Sequence, residues 1–269
     1  MTQATGNVKL SPLQISRLAK ISTDQGFDLS PVEEGNWLRC RSTQFPEQVW
    51  LTEADGGYQL ACNSQCLLDA LADEGMNVQH AVLQPASAKG TVHLAEYGEL
   101  YQLLGRVTNL AKTAPDTLVK EFVAETLSMP ESTEVERLAK QRVGQDIFRN
   151  ALIAFWQGHC AVTGLSVVSL LRASHIKPWV DCTDDQERLN VFNGLLLAPH
   201  LDALFDGGWI TFDDVGRLVK SPFLNDGAVQ LLGVSSEMKL THLAADHQPY
   251  LKYHRQHVFK TAWRWERWR

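Results

Sequence analysis

Residues 160–212 read CAVTGLSVVSLLRASHIKPWVDCTDDQERLNVFNGLLLAPHLDALFDGGWITF, and this stretch decides the fold of the C-terminal half. The apolar residues of 165–176 predict a strand-rich segment, which a loop with several acidic residues follows. A second apolar run at 194–198 predicts another strand. Pro199 then opens a short helix over 200–207 that ends at paired glycines. The predicted order is therefore strand, loop, strand, helix.

Polar side chains stand at the ends of these elements. Asp202 and Asp206 are four residues apart, so a helix places both carboxylates on one face, with His200 just before them. Carboxylate oxygens suit a hard cation such as Mg²⁺ or Mn²⁺. His175, at the end of the first strand, is then a candidate for taking a proton from water while the cation stabilises the leaving oxygen of a phosphodiester.

Three motifs in combination carry a family resemblance: HIKPW at 175–179, NG at 193–194 and HLDALFD at 200–206. Together they resemble the HNH endonucleases, which have the ββα-metal fold, over roughly Arg142–Lys220. The stretch QRVGQDIFR at 141–149 is similar to the helix that precedes the motif in one branch of bacterial HNH proteins. The resemblance implies an α+β chain whose C-terminal ββα-metal (HNH) nuclease domain follows an N-terminal α+β domain.

The resemblance also implies roles for single residues. His175 is the general base, and Asn193 either fixes the loop that carries the base or touches the metal. Asp202 is the first candidate metal ligand, His200 the second and Asp206 the third. Asp206 can instead serve the turn that ends the helix. Many relatives carry an acidic residue or a histidine just before the base, whereas this chain has Ser174, a poor ligand.

Basic and amide side chains near the motif are candidate contacts to nucleic-acid phosphates. Arg172 and Lys177 flank the base and are the better candidates. Arg142, Gln145 and Arg149 lie on the preceding helix, where a solvated face is an equal interpretation. The basic and aromatic tail at 254–269 can bind a strand by charge and stacking, although its tryptophans can equally pack on the core.

Cysteine usage bounds the metal content and the compartment. Many relatives hold a structural zinc with paired cysteines, but Cys160 stands alone here, and a zinc site needs about four ligands, so we expect no structural Zn²⁺. Five sparse cysteines are typical of a reduced, cytoplasmic protein. A membrane span is not expected, because no run of eighteen apolar residues exists. The start of the sequence also lacks the pattern of a signal peptide.

The first 125 residues are interpreted as an N-terminal α+β recognition or regulatory domain, and residues 126–269 as the nuclease domain. An early helix, a hairpin turn at 55–57 and a joint at 113–133 are predicted in this region. Trp37, Trp50 and Tyr58 are interpreted as core, with an aromatic pocket as the alternative. Further elements are predicted at these ranges: strands at 36–43, 48–54 and 58–64, and helices at 66–75, 94–112 and 133–158.

Two patterns specify the long helix at 133–158. Thr133 and Glu136 fit a capping box. An apolar stripe at helical spacing predicts its buried face. The members of this stripe are Val135, Leu138, Ile147, Phe148, Leu152 and Phe155.

The sequence as a whole predicts a metal-dependent endonuclease that hydrolyses phosphodiester bonds of double-stranded DNA, in restriction or defence, with the N-terminal domain setting specificity. A homodimer is expected, since one such site cuts one strand. The net charge of −6 argues against a protein that coats nucleic acid nonspecifically. Three alternatives remain: a ligand-gated effector nuclease, an inactive HNH-fold DNA-binding regulator, and RNA as the substrate.

Overall fold

The computed structural model describes residues 9–54, 56–79, 84–130 and 133–261. The chain divides into two compact units, Met1–Lys112 and Thr113–Arg269. The sequence analysis placed the boundary thirteen residues later, at 125/126, and the roles assigned to the two domains stay predictions. In the described ranges, none of the helices has the length and apolar character that crossing a lipid bilayer requires.

The first unit combines helices with one sheet. Its helices are α1 (Pro12–Asp24), α2 (Gln65–Asp73) and α3 (Tyr97–Lys112). Its strands are β1 (Leu29–Glu34), β2 (Trp37–Arg41), β3 (Val49–Ala54), β4 (Gly57–Cys62), β5 (Val78–Gln79) and β6 (Gly90–Leu94). The sheet order is β1-β2-β3-β4-β6-β5, and each neighbouring pair is antiparallel.

Local sequence explains the edges of several of these elements. Ser11 and Gln14 form a capping box at the start of α1. Strands β3 and β4 pair from Val49↔Cys62 to Ala54↔Gly57, which confirms the predicted hairpin. Gly56 has φ +78°, a backbone conformation that glycine adopts without steric cost.

The aromatic residues of the predicted strands lie in the core of the first unit. Trp37 and Trp50 pack in one buried cluster with Ala61 and Ala88, and Tyr58 is also buried. The core interpretation is therefore confirmed over the aromatic pocket. Strands β1, β5 and β6 were not predicted, because β1 contains a proline and all three lie in stretches without clear alternation.

The second unit contains residues 160–212, for which the order strand, loop, strand, helix is predicted. Its helices are α4 (Pro115–Thr126), α5 (Glu134–Phe155), α6 (Asp185–Leu189), α7 (Pro199–Asp206), α8 (Asp226–Leu231) and α9 (Gln248–His257). Its strands are β7 (Arg172–His175), β8 (Gly194–Leu197), β9 (Ile210–Phe212) and β10 (Leu218–Lys220).

Helices α4 and α5 lie at and after the predicted joint. The joint at 113–133 begins where the two units meet, and it contains the helix α4, which was not predicted, begins at Pro115 and buries Leu118 and Phe122. The capping box of α5 is confirmed by the bond from the Thr133 amide to Glu136 Oε2 (2.8 Å) and by the reverse bond to Thr133 Oγ1 (3.2 Å). The apolar stripe is buried only from Ile147 onward, since Val135 and Leu138 are exposed.

Strands β7 and β8 form an antiparallel pair that α7 follows, which is the predicted ββα order. The register runs from Arg172↔Leu197 to His175↔Gly194. The prediction that 165–176 is strand-rich is wrong before Arg172. The partner strand is only four residues long, and Arg149 of α5 donates to the carbonyl oxygens of Leu171 (2.7 Å) and Val168 (3.2 Å). These carbonyls therefore bind a side chain rather than a strand.

Strand β8 is buried along its whole length and packs against α5. Gly194 begins this strand and allows the close approach of the helix. A Cβ atom added there would lie 2.6 Å from Phe148 Cζ and 2.7 Å from Leu152 Cδ1, both in fully buried side chains. The side chain of any larger residue would therefore overpack the core at the point where the strand meets α5.

We expect Gly194→Ala to lower the free energy of unfolding by about 1–3 kcal/mol, the usual cost of overpacking a filled core. Urea unfolding followed by tryptophan fluorescence measures the loss. Gly98→Ala is the control, because a Cβ at Gly98 on α3 meets nothing within 4 Å, and it should leave stability unchanged or slightly higher. Equal stabilities of the two variants would contradict the close approach at Gly194.

Candidate active site

His175 is the last residue of β7, and its ring is enclosed by the elements around it. The imidazole stacks on Phe148 of α5 at a centroid distance of 3.8 Å and an interplanar angle of 17°. Trp179 meets the same ring edge-on at 5.5 Å. The ring Nε2 lies 2.9 Å from the carbonyl oxygen of Arg188. Two aromatic rings and one hydrogen bond thus set the orientation of the imidazole.

The bond to Arg188 selects a tautomer. A carbonyl oxygen only accepts, so Nε2 carries the proton and Nδ1 keeps its lone pair. Desolvation by burial lowers the pKa of His175 to about 4, against a smaller raising effect of the Arg188 carbonyl. The imidazole is therefore neutral at physiological pH, which is the form that can accept a proton at Nδ1.

Asn193 is fully buried directly before β8 and bonds the loop between the two strands. Its Oδ1 accepts from the Lys177 amide at 2.8 Å. Its Nδ2 donates to the carbonyl oxygens of Lys177 (3.2 Å) and Glu187 (3.1 Å). Of the two roles that the resemblance offered for Asn193, the bonds in the structure correspond to fixing the loop.

Asp202 and Asp206 lie on one face of α7, next to β7. The Ser174 hydroxyl donates to Asp206 Oδ1 at 3.0 Å, and it is close enough to Asp202 to lower the pKa of that carboxyl. Ser174 is 2% exposed and faces α7, since its hydroxyl bonds Asp206. Adjacent residues of a strand point to opposite sides, so His175 faces α5, where it stacks on Phe148. The Cα atoms of the two residues are only about 3.8 Å apart.

The surroundings of the two carboxylates make their charge costly. Desolvation raises the pKa of Asp202, while the Ser174 bond and the positive charge of Arg172 oppose this shift. Desolvation likewise raises the pKa of Asp206, and the negative charge of Asp202 adds to it. A cation beside the pair would offset both effects, and an all-oxygen donor set of this kind fits Mg²⁺ or Mn²⁺.

His200 lies in the first turn of α7 and is half-buried. The side chains of residues i and i+2 in an α-helix differ by about 200° in direction, so His200 and Asp202 point to different faces. Across the described ranges, no three histidine, cysteine, aspartate or glutamate side chains come together as a metal site. The carboxylate pair with Ser174 is the oxygen cluster that the predicted metal residues form.

The last turn of α7 is braced by α9. His254 of α9 stacks on Phe205 at 3.9 Å with an interplanar angle of 1°. Its Nε2 lies 3.1 Å from the Phe205 carbonyl oxygen, and its Nδ1 lies 2.9 Å from Thr211 Oγ1. His254 thus holds the residue that directly precedes Asp206. No motif pointed to His254, because it is far from the strand–helix segment in sequence.

The predicted phosphate contacts fall into two groups. Arg172 is exposed and close enough to lower the pKa of Asp202, while Arg142 and Gln145 are exposed on α5. Lys177 and Arg149 instead bind within the protein, Lys177 to Glu187 and Arg149 to the carbonyls before β7. The second group has a structural task that the sequence did not indicate.

Cys160 is buried, and its sulfur accepts from the amides of Ala198 (3.3 Å) and Thr163 (3.4 Å). The tryptophans of the tail, Trp263, Trp265 and Trp268, lie outside the described residues.

Sequence reasoning missed Glu187, which bonds Lys177. Its spacing from Asp184 is that of a helix cap and its third residue, and Asp184 Oδ1 indeed accepts from the Glu187 amide at 2.8 Å. That signal was available in the loop.

The second unit thus contains a strand pair followed by a helix, with a histidine on the first strand and two carboxylates on the helix, which is the ββα arrangement that the sequence predicted. The model of the HNH endonuclease family matches residues 160–213. Residues 160–213 therefore form an HNH endonuclease domain, as the motifs indicated, and this match points to nuclease activity on a nucleic acid with a divalent ion. The comparison with curated proteins gave no match.

Proposed function

We propose that the chain is a metal-dependent endonuclease that hydrolyses phosphodiester bonds of double-stranded DNA. The observation that carries the proposal is the presence of two groups on the neighbouring elements β7 and α7. One is His175, whose tautomer leaves Nδ1 as an acceptor. The other is the carboxylate pair Asp202 and Asp206, held by Ser174. Both lie within the segment that matches the HNH family.

In this proposal each residue has a stated task. Asp202 and Asp206 hold the cation, with His200 as the next candidate. The bound cation supplies charge stabilisation for the leaving oxygen of the phosphodiester. His175 accepts the proton of the attacking water at Nδ1, while its Nε2–H stays on the Arg188 carbonyl. Asn193 keeps the loop that carries this carbonyl closed.

The DNA backbone would run past the exposed cationic side of the domain. Arg172 lies near Asp202, and its charge suits a phosphate next to the bound cation. Arg142 and Gln145 stand three residues apart on α5, so one face of the helix presents both. A role in restriction or defence, a homodimer, and specificity set by the first unit extend this proposal.

Cleavage of supercoiled plasmid tests the proposal with Mg²⁺, with Mn²⁺ and with EDTA. We expect nicked or linear product with either metal and none with EDTA. The double variant Asp202→Asn, Asp206→Asn should need at least about tenfold more cation for the same rate, since both charged ligands are lost. Unmodified and cytosine-modified plasmids compared in parallel begin to define specificity, and linear product at early times favours a dimer.

Three outcomes would point elsewhere. Cleavage that EDTA leaves unchanged would refute the metal-dependent mechanism. Binding of duplex without cleavage under any metal would favour the inactive regulator. If cutting begins only when a cell extract or a nucleotide is added, the ligand-gated effector is favoured. A single-stranded RNA of matched length, included as a competitor, separates the two nucleic acids.

A further inference from the structure

The loop between β7 and β8, residues 176–193, carries the carbonyl that orients His175. This carbonyl belongs to Arg188, near the end of the short helix α6. The ends of the loop are fixed by the strand pair, but Arg188 lies well inside it. Some interaction within the loop must therefore set the position of the Arg188 carbonyl.

An ion pair spans the loop. Lys177 Nζ lies 2.7 Å from each carboxylate oxygen of Glu187. The two side chains are only 13% and 21% exposed. Glu187 Oε2 also accepts from the Thr183 amide at 2.7 Å. Glu187 is the residue directly before Arg188, and its side chain thus bonds the start of the loop at Lys177 and the middle of the loop at Thr183.

Asn193 reinforces the same two positions. It bonds the backbone of Lys177 through both its oxygen and its nitrogen, and it donates to the Glu187 carbonyl. The backbone of residues 177 and 187 is thus fixed by Asn193, and their side chains are fixed by each other. The ion pair and the Asn193 side chain both fix residues 177 and 187. The carbonyl of the next residue, Arg188, therefore has little freedom to move.

The side chain of Arg188 points back into the loop. Its guanidinium donates to the carbonyl oxygens of Cys182 (3.0 Å) and Trp179 (3.4 Å). It also lies 5.8 Å from the ring of Trp179, the ring that meets His175 edge-on. Arg188 pairs with Asp185 as well, but that carboxylate is 40% exposed, so solvent weakens the contact.

We propose that Lys177 and Glu187 form a positioning pair, which holds the Arg188 carbonyl against Nε2 of His175 and so keeps the imidazole in one tautomer. The effect on cleavage rests on the proposed function, whereas the effect on the tautomer does not. Desolvation offsets most of the Coulombic gain of a buried ion pair, so its net contribution to stability is small, although removing one partner alone is costly. The pair therefore acts through the geometry of the site, and Lys177 is assigned to the loop rather than to DNA phosphate.

The test compares Glu187→Gln with Asp185→Asn in the full chain. Both changes turn a carboxylate of α6 into its amide, but only the first breaks the pair with Lys177. The first measurement is the ring ¹⁵N spectrum of His175, assigned by the signal that disappears in His175→Ala. We expect the Nε2–H form in the wild type and in Asp185→Asn, and a mixture of tautomers in Glu187→Gln.

The second measurement is cleavage kinetics on a duplex oligonucleotide with Mg²⁺. In Glu187→Gln we expect kcat to fall about tenfold to a hundredfold, the effect of a misplaced reacting group, with KM for the duplex unchanged. Loss of a phosphate contact would instead raise KM. Lys177→Gln should reproduce the Glu187→Gln result, and the double variant should be no worse than either single one.

Several results would overturn the proposal. One is a Glu187→Gln protein with the wild-type tautomer, and another is a KM effect in Lys177→Gln at constant kcat. Equal changes in Glu187→Gln and in Leu240→Ala, a core truncation at a buried residue, would reduce the effect to general destabilisation. If Glu187→Gln does not fold, Lys177→Gln carries the comparison. If the wild type cuts nothing, with or without cell extract, but the wild type and the variants show the expected tautomers, the nuclease is refuted and the positioning pair is kept.

Discussion

Replacing His175 with alanine is expected to slow cleavage of plasmid DNA by about a hundredfold to ten-thousandfold, the range that a general base contributes. The variant keeps the carboxylate pair of α7, so binding of duplex in the presence of Ca²⁺ should stay within about threefold of wild type, because this change removes no phosphate contact. Rates at saturating Mg²⁺ measure the first effect, and fluorescence anisotropy measures the second.

Two controls separate the loss of a base from the loss of packing. The His175 ring stacks on Phe148, so removing it leaves a space that free imidazole can enter, and added imidazole should restore part of the activity. His159→Ala removes an exposed histidine of the same unit and should cut at the wild-type rate. Full activity of His175→Ala would exclude this residue as the base.

Acidification is expected to destabilise the second unit strongly. Burial is the main cause that lowers the pKa of three of its histidines: His175 to about 4, His247 to about 3 and His254 to about 4. The positive charge of the nearby His242 adds to the effect on His247, and that of Arg255 to the effect on His254. All three histidines are therefore neutral in the folded protein at pH 5, whereas an unfolded chain protonates them.

The sign and size of the effect follow from proton linkage. Below the unfolded pKa of about 6.5 the unfolded chain binds more protons, so the free energy of unfolding falls as the pH falls, until the folded pKa values are reached. Each histidine costs about 1.4 kcal/mol per pH unit in this window. Between pH 7.5 and pH 5 the three together remove about 6 kcal/mol. The raised carboxyl pKa values of Asp202 and Asp206 act with the opposite sign.

Hydrogen exchange of the β8 amides at several pH values reads the stability of this unit separately from the first. His247→Asn is the informative variant, because asparagine can still accept from the Ala244 amide, which lies 3.2 Å from His247 Nδ1. We expect this variant to lose about one third of the pH dependence between pH 6.5 and pH 5. The exposed His159→Asn should retain all of it. A pH-independent stability would refute the buried, neutral state of these histidines.

The ββα core of the second unit was readable from sequence because its signals are local. The spacing of Asp202 and Asp206 sets a common helix face, and Thr133 with Glu136 sets a helix start; both follow from residues within one turn. The extent of β7 was not readable, since a strand is only as long as its partner, and the partner is the four-residue β8. In the first unit, strands β1, β5 and β6 were not predicted, because their extent likewise depends on the strands with which they pair.

The candidate site shows the same difference between local signals and contacts that are distant in sequence. His175, Asn193 and the carboxylates stand in short motifs, so the sequence indicated them. The ion pair of Lys177 with Glu187 and the contact of His254 with Phe205 join residues 10 and 49 positions apart. A single sequence carries no signal for such pairs, and the sequence favoured a DNA contact for Lys177 because it lies two residues after the candidate base His175.

The contact of His254 with Phe205 has a consequence for how this protein can be shortened. The family segment ends at residue 213, yet the helix that bears Asp206 is held by a ring that enters from α9, about forty residues further on. A fragment trimmed to the motif would keep every residue expected to do chemistry and lose the brace on one of them. A chain cut between residues 213 and 254 would likewise keep the motif, and the position of Asp206 would then depend on α9 staying bound without a covalent link.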